Sequence, residues 1–208
     1  MRFRSLAAWL DWQTGLNPKQ VSLGLERVSL VWERLGKPSL DAPVLTVAGS
    51  NGKGSSVAFA EADLQAAGYR TGCYTSPHLL RYNERIRVDQ QMVDDDRICA
   101  AFERIDLARA DVPLTYFEFG TLAALWIFTQ MQLDAVVLEV GLGGRLDAVN
   151  LIDPDVALIT SIGLDHQDWL GENLEAIGGE KAGILRSGRP GVFSGRDMPH
   201  SIRRHAEL

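Results

Sequence analysis

Along the chain, short unbroken apolar runs alternate with longer stretches of mixed polarity. The runs VLTVA (44–48), GCY (72–74), AVVLEV (135–140), VALIT (156–160) and GVFS (191–194) predict five strands. Apolar residues occupy successive positions rather than every second one, as in parallel strands covered on both faces. Helices are predicted over 53–67, 95–108 and 116–131, the last apolar almost all round and therefore buried. Residues 85–93 read as a short hairpin, with IRV and QMV around a polar turn. Asp94, Asp95 and Asp96 stand at the start of the second helix, where carboxylates favour the positive end of the helix dipole. We read them as a cap in preference to a metal site. The first forty residues lie outside this alternation and predict two helices. The second falls around 21–36, with Leu25, Val28, Val31, Trp32 and Leu35 at the spacing of a packed face. The whole predicts an α/β fold: three layers, with a mostly parallel sheet between helices on both faces and right-handed crossovers.

Composition narrows the class. Of 208 residues, 46% are hydrophobic and 23% charged, which suits a globular chain and not a disordered one. The formal net charge of −6 argues against a nucleic-acid module. No apolar run approaches the ~20 residues of a membrane span, and the mixed, acidic start does not read as a secretory signal. Cys73 and Cys99 form no metal-spacing pattern, so a reducing, cytoplasmic setting is expected. The length suits one large domain, or one domain and part of another.

Candidate chemistry starts at residues 44–57, VLTVAGSNGKGSSV: a strand, a glycine-rich turn and a helix. Gly49, Gly52 and Gly54 let several N–H groups converge, Lys53 adds a full charge, and the helix N-terminus adds a partial one. With Ser50, Asn51 and Ser55, these residues predict a polyphosphate site. The strict pattern G-x-x-x-x-G-K-[ST] is not met, because Val47 stands where its first glycine belongs and Gly54 follows the lysine. Three further positions fall where α/β sheets bind ligands, at or just beyond strand ends. Ser76 follows the second strand, Glu139 lies at the end of AVVLEV, and His166 follows VALIT. A carboxylate on a buried strand needs a partner or a metal, and Arg145 is the structural alternative for Glu139. The segment EVGLGG also suggests an S-adenosylmethionine methyltransferase or a dinucleotide fold. However, Leu146 occupies the third glycine's place, and only about 14 residues, Pro154 among them, remain for a crossover helix.

Four motifs, GSNGKGS, YTSPHLLRYNERIRV, LEVGLGGRLDAVN and TSIGLDHQDWLGENLEAIGGEKAGI, resemble the bifunctional dihydrofolate synthase/folylpolyglutamate synthase family of the ATP-dependent Mur-ligase superfamily. The resemblance is colinear from about Leu23 onward. It departs from the family's usual residues at Ser50, commonly Thr, and at Ser22, often Asp. The resemblance implies a P-loop-type central domain over 44–208, C-terminally incomplete, behind an N-terminal helical segment over 1–43, with the C-terminal ligase domain absent. It implies that ATP binds the loop around Lys53, and that Ser76, Glu139, His166 and Lys181 hold one or two magnesium ions. Lys181 would do so as a carbamate; the alternative is a lysine on an exposed helix face beside Glu180. The pterin portion of dihydropteroate or folate is implied to meet Ser22, Leu23 and Gly24, then Thr115, Tyr116, Phe117 and Glu118, then Leu146, Asp147 and Ala148. L-glutamate is the implied amine, and the intact enzyme is expected to be a monomer, independent of nucleic acid and membrane. The 208 residues alone are expected to be nearly inactive; a binding module without turnover is the other reading.

Overall fold

The computed structural model describes residues 2–17 and 21–207. Helices α1 (Leu6–Thr14) and α2 (Glu26–Arg34) precede β1 (Val44–Ala48), α3 (Lys53–Ala66) and β2 (Thr71–Tyr74). The hairpin β3 (Ile86–Val88) and β4 (Gln91–Met92), then α4 (Asp95–Arg109), α5 (Tyr116–Thr129) and β5 (Ala135–Glu139) follow. The described chain finishes with β6 (Val156–Ile159), α6 (Gln167–Leu170), α7 (Leu174–Ala182), β7 (Gly191–Phe193) and α8 (His200–Ala206).

The seven strands form one sheet in the order β4-β3-β2-β5-β1-β6-β7. β2, β5, β1, β6 and β7 run parallel, and the hairpin adds two antiparallel strands at one edge. The predicted strands and hairpin are therefore present. Side chains of β1, β2 and β5 alternate between the two faces. Tyr74, Val136 and Leu138 join the large core under α4 and α5, whereas Val47, Cys73 and Val137 meet Val57 of α3 on the other face. Glu139 lies on the α3 side, in register with Val47. Because the central strands are parallel, the chain leaves β1, β2, β5 and β6 at one edge of the sheet.

Helix boundaries have local causes. α4 is capped by Asp94, whose side chain accepts the Arg97 N–H, so the acidic run is a cap. Asp95 also accepts from Asn83 Nδ2 at 2.8 Å. α5 starts with a capping box: Thr115 accepts the Glu118 N–H, and Glu118 accepts the Thr115 N–H. α2 begins later than the apolar spacing suggests, because Gly24, at φ +139°, holds residues 21–24 outside the helix. The two N-terminal helices pack on α4 and α5, with Trp9, Val28, Val31 and Trp32 inside the same core. Among the described residues, no helix is long and apolar enough to cross a membrane.

Candidate active site

The turn between β1 and α3 is built on two glycines with positive φ, Gly49 at +148° and Gly52 at +85°. It is pinned to the segment leaving β6. Ser50 N–H donates to the Ser161 carbonyl at 2.8 Å, the Ser50 hydroxyl donates to the Gly163 carbonyl at 3.0 Å, and the Thr160 hydroxyl donates to the Asn51 carbonyl at 2.7 Å. A Cβ at Gly49 would lie 1.8 Å from Thr160 Oγ1, so only glycine fits this approach. Lys53 Nζ folds back onto the Gly49 carbonyl at 2.9 Å. The start of α3 thus presents amides and a lysine at the edge where the parallel strands end.

β5 brings Glu139 to the same place. It is 4% exposed and accepts the Ser76 N–H through Oε2 at 3.0 Å; Oε1 has no protein donor among the described residues. Gly54 lies opposite, where a Cβ would sit 3.8 Å from Oε1. Burial raises the Glu139 carboxyl above its ordinary range, against the Ser76 N–H and the charges of Lys53, Arg87 and Arg85. Arg145 is not its partner: that guanidinium reaches Glu180 at 2.7 Å. A cis peptide bond joins Ser76 to Pro77.

Lys181 is on α7 and 2% exposed, so the exposed-face alternative does not hold. Its ammonium lies 3.7 Å from Asp165 Oδ2, and Asp165 Oδ1 is buried with no hydrogen-bond partner among the described residues. Burial lowers the Lys181 pKa; Lys53 pushes the same way, and Asp165 opposes. His166 is exposed at φ +46°.

A cavity of about 450 Å³ opens beside the phosphate turn. Its wall gathers residues from every predicted segment: Ser22, Leu23 and Gly24; Thr115, Phe117 and Glu118; Leu146, Asp147 and Ala148; Lys53, Ser76 and His166. Tyr116 is not in this wall; its ring packs edge-on against Tyr82. Glu139 lines an adjoining recess with Gly54 and Ser76. Lys181 lines neither space, but its backbone packs where a Cβ on Gly144 would fall. Phe117 presses its ring on Gly141, leaving no room for a Cβ there.

The carboxylates in the wall are engaged by the protein. Asp147 accepts the Gly141 and Leu142 N–H groups through Oδ2 at 3.1 and 2.9 Å, and the Val149 N–H through Oδ1 at 2.9 Å. Burial pushes its pKa up to about 6 even so. Glu118 pairs with Arg27 at 2.8 Å, and Arg27 also donates to the Ser22 carbonyl at 2.6 Å. One guanidinium therefore ties the 22–24 loop to the start of α5. Sequence reading missed Arg27, Arg85, Asp165 and Trp169. Two of them, Arg85 and Trp169, line the cavity. Nothing local marks Arg27, since Glu118 is 91 residues away.

Residues 47–200 match the Mur ligase middle domain. The chain belongs to the Mur ligase family. Its relatives within that family include the dihydrofolate synthase/folylpolyglutamate synthase of Escherichia coli, 55% identical over 197 residues, covering 95% of this chain and 47% of the relative. Among solved Mur ligases, the E. coli FolC structure in complex with DHPP and ADP superposes with a TM-score of 0.96 at 54% identity. The match takes in 98% of this chain and 49% of that one. The Yersinia pestis bifunctional folylpolyglutamate synthase/dihydrofolate synthase, complexed with AMPPNP and Mn ion, gives 0.93 at 53% identity, over 98% of this chain and 50% of that one. This Mur ligase chain therefore spans about half the length of the curated relatives it matches.

Proposed function

We propose that the chain is the ATP-binding and acid-activating part of an amide ligase that joins L-glutamate to dihydropteroate, and to the γ-carboxylate of folate polyglutamates. The observation that carries this reading is the cavity, which unites the phosphate-turn Lys53 with all three segments assigned to the pterin. The relatives' activities and the ligands of their solved structures, DHPP, ADP and AMPPNP, support it.

In this reading the substrate carboxylate attacks the γ-phosphorus of ATP, giving an acyl phosphate and ADP. The glutamate amine then attacks the acyl carbon, the amide bond forms, and phosphate leaves while the nitrogen sheds its proton to water. Catalysis comes from positioning and charge neutralisation, with no side chain acting as nucleophile. The loop 49–55 and Lys53 hold the phosphates, Lys53 exchanging the Gly49 carbonyl for a phosphate oxygen. Phe117 offers its ring to the pterin, with the 22–24 and 146–148 backbones around it. Asp147 keeps the 141–149 turn closed on its three N–H groups, which makes it as much a scaffold as an acceptor.

The residues present fit a magnesium ion: Ser76 and Glu139 are adjacent with one carboxylate oxygen undonated, and Asp165 has an orphaned oxygen beside Lys181. Ser76, Glu139, His166 and a carboxylated Lys181 would hold one or two such ions, which neutralise the phosphate charge when bound. A lysine whose neutral form is favoured by burial is chemically ready to add carbon dioxide. The intact ligase acts as a cytoplasmic monomer on these small molecules.

Calorimetric titration with magnesium–AMPPNP and then dihydropteroate tests the proposal. Both are expected to bind, while glutamate-dependent ADP release from the 208 residues alone stays near background. Binding of S-adenosylmethionine in place of ATP would sink the ligase reading; the 141–151 segment, turns and one short 3-10 helix, lacks a methyltransferase's crossover helix.

A further inference from the structure

Arg85 lines the cavity beside Ser76 and Pro77 and is 9% exposed. Two other arginines largely removed from solvent have carboxylate partners: Arg109 has Asp106 at 2.8 Å, and Arg87 has Glu61 at 2.7 Å. Arg85 has none among the described residues. Its Nε donates to His78 Nδ1 at 2.8 Å, and its guanidinium carbon lies 5.6 and 5.7 Å from the Tyr82 and Tyr116 ring centroids. Neutral rings and an imidazole orient a guanidinium without cancelling its charge; Glu139 feels that charge without forming an ion pair with it, and a buried charge without a close partner is costly. The acidic groups of the same wall are already engaged, Asp147 by three N–H groups and Glu118 by Arg27. Lys53 is committed to the phosphate turn.

We propose that Arg85 is the anion anchor of this cavity, taking the carboxylate of an aromatic acid whose rings lie along Phe117, Leu142 and Ala148. His78 is the positioning residue. By accepting the Nε–H it turns the remaining guanidinium edge, the one suited to a two-point carboxylate contact, away from itself. The assignment deepens the proposed ligase reading and rests on it for the choice of acid. The anchor would hold the carboxylate beside Ser76, at the edge of the sheet where the phosphate turn lies.

The test compares pteroate, its methyl ester and 4-aminobenzoate for binding to the 208-residue chain and to Arg85→Met and Arg85→Lys. The readouts are quenching of tryptophan fluorescence, since Trp169 lines the cavity, and thermal melting as a check on folding. Pteroate should bind at least about tenfold more tightly than its ester. That preference should vanish in Arg85→Met, which keeps the ester affinity, and return in part in Arg85→Lys. Equal loss of acid and ester in a folded Arg85→Met would reduce Arg85 to a wall residue and overturn the proposal, as would unchanged acid binding. Should pteroate fail to bind while 4-aminobenzoate binds in an Arg85-dependent way, the anchor stands and the pterin reading falls. Absence of binding by every carboxylate overturns the anchor.

Discussion

The Arg27–Glu118 pair offers the sharpest perturbation of the site, because one side chain joins two walls of the cavity that are far apart in sequence. Arg27→Met keeps most of the aliphatic stem and removes only the guanidinium. Glu118, with its side chain 4% exposed, would keep the Thr115 N–H but lose both Arg27 Nε contacts, at 3.0 and 3.2 Å, and the 2.8 Å contact from Nη2. The Ser22 carbonyl would lose a 2.6 Å donor. Breaking a fully buried pair from one side costs ~3–5 kcal/mol, but the Arg27 side chain is 24% exposed, so water replaces part of what is lost. We expect a loss of about 2–3 kcal/mol, the size of one charged hydrogen-bond set. Urea unfolding measures it as a fall in midpoint at constant slope. The partner variant Glu118→Gln closes a double-mutant cycle, in which the coupling should be at least ~1 kcal/mol. The loop should loosen as well, so affinity for pteroate should fall more than affinity for AMPPNP. An Arg27→Met protein within ~0.5 kcal/mol of the parent, with unchanged pteroate binding, would refute the view that this pair fixes the cavity.

Three further outcomes are expected. Asp147 titrates near 6 in the folded chain against 3.8 ordinarily, so the folded state holds the extra proton between those values. Its contribution to stability is then complete below about pH 4 and lost as pH rises through about 6, by up to ~3 kcal/mol. Asp147→Asn should flatten that part of a stability–pH curve, and identical slopes would count against the assignment. Gly49→Ala forces a Cβ into Thr160 Oγ1 at a backbone angle that L residues rarely adopt, so a loss of ~2–4 kcal/mol and of AMPPNP binding is expected in denaturation and titration. Lys181, if carboxylated, should give a carbamate carbon signal after exposure to carbon-13 bicarbonate. Lys181→Ala should lack it, and a spectrum without any such signal in the parent at alkaline pH would remove the carbamate.

What could be read from the sequence divides along a physical line. The strands β1, β2 and β5 were legible because burial on both faces leaves an unbroken apolar run, β6 and the largely exposed β7 because their short runs are apolar as well, and the cap of α4 because capping is local. The phosphate turn was legible for the same reason: its glycines, lysine and flanking strand are contiguous. α6 and α7 were not, since a four-residue helix and a nine-residue helix containing Gly178 and Gly179 carry little periodic signal. Strand order, with β5 between β2 and β1, is a matter of long-range pairing that no local pattern encodes. Motif resemblance nominated the cavity segments, yet it said nothing of how they are held.

The cavity's electrostatics follow from choices made at long sequence range. Arg145, the nearest candidate to Glu139 along the chain, turns instead to Glu180, 35 residues on, and so leaves one Glu139 oxygen undonated. Arg27 does the reverse and satisfies Glu118 from 91 residues away, which keeps an acid in the cavity wall from repelling the proposed carboxylate substrate. Asp147 is saturated by amides of its own turn. After these pairings Arg85 keeps a positive charge in the cavity without a paired carboxylate among the described residues, and Glu139, in the recess beside it, keeps an oxygen that none of them donates to. A site arranged in this way favours an anionic group in the cavity and a cation at its rim, the combination that phosphoryl transfer to a carboxylate requires. The residues that set this polarity are largely partners of the motif residues rather than the motif residues themselves.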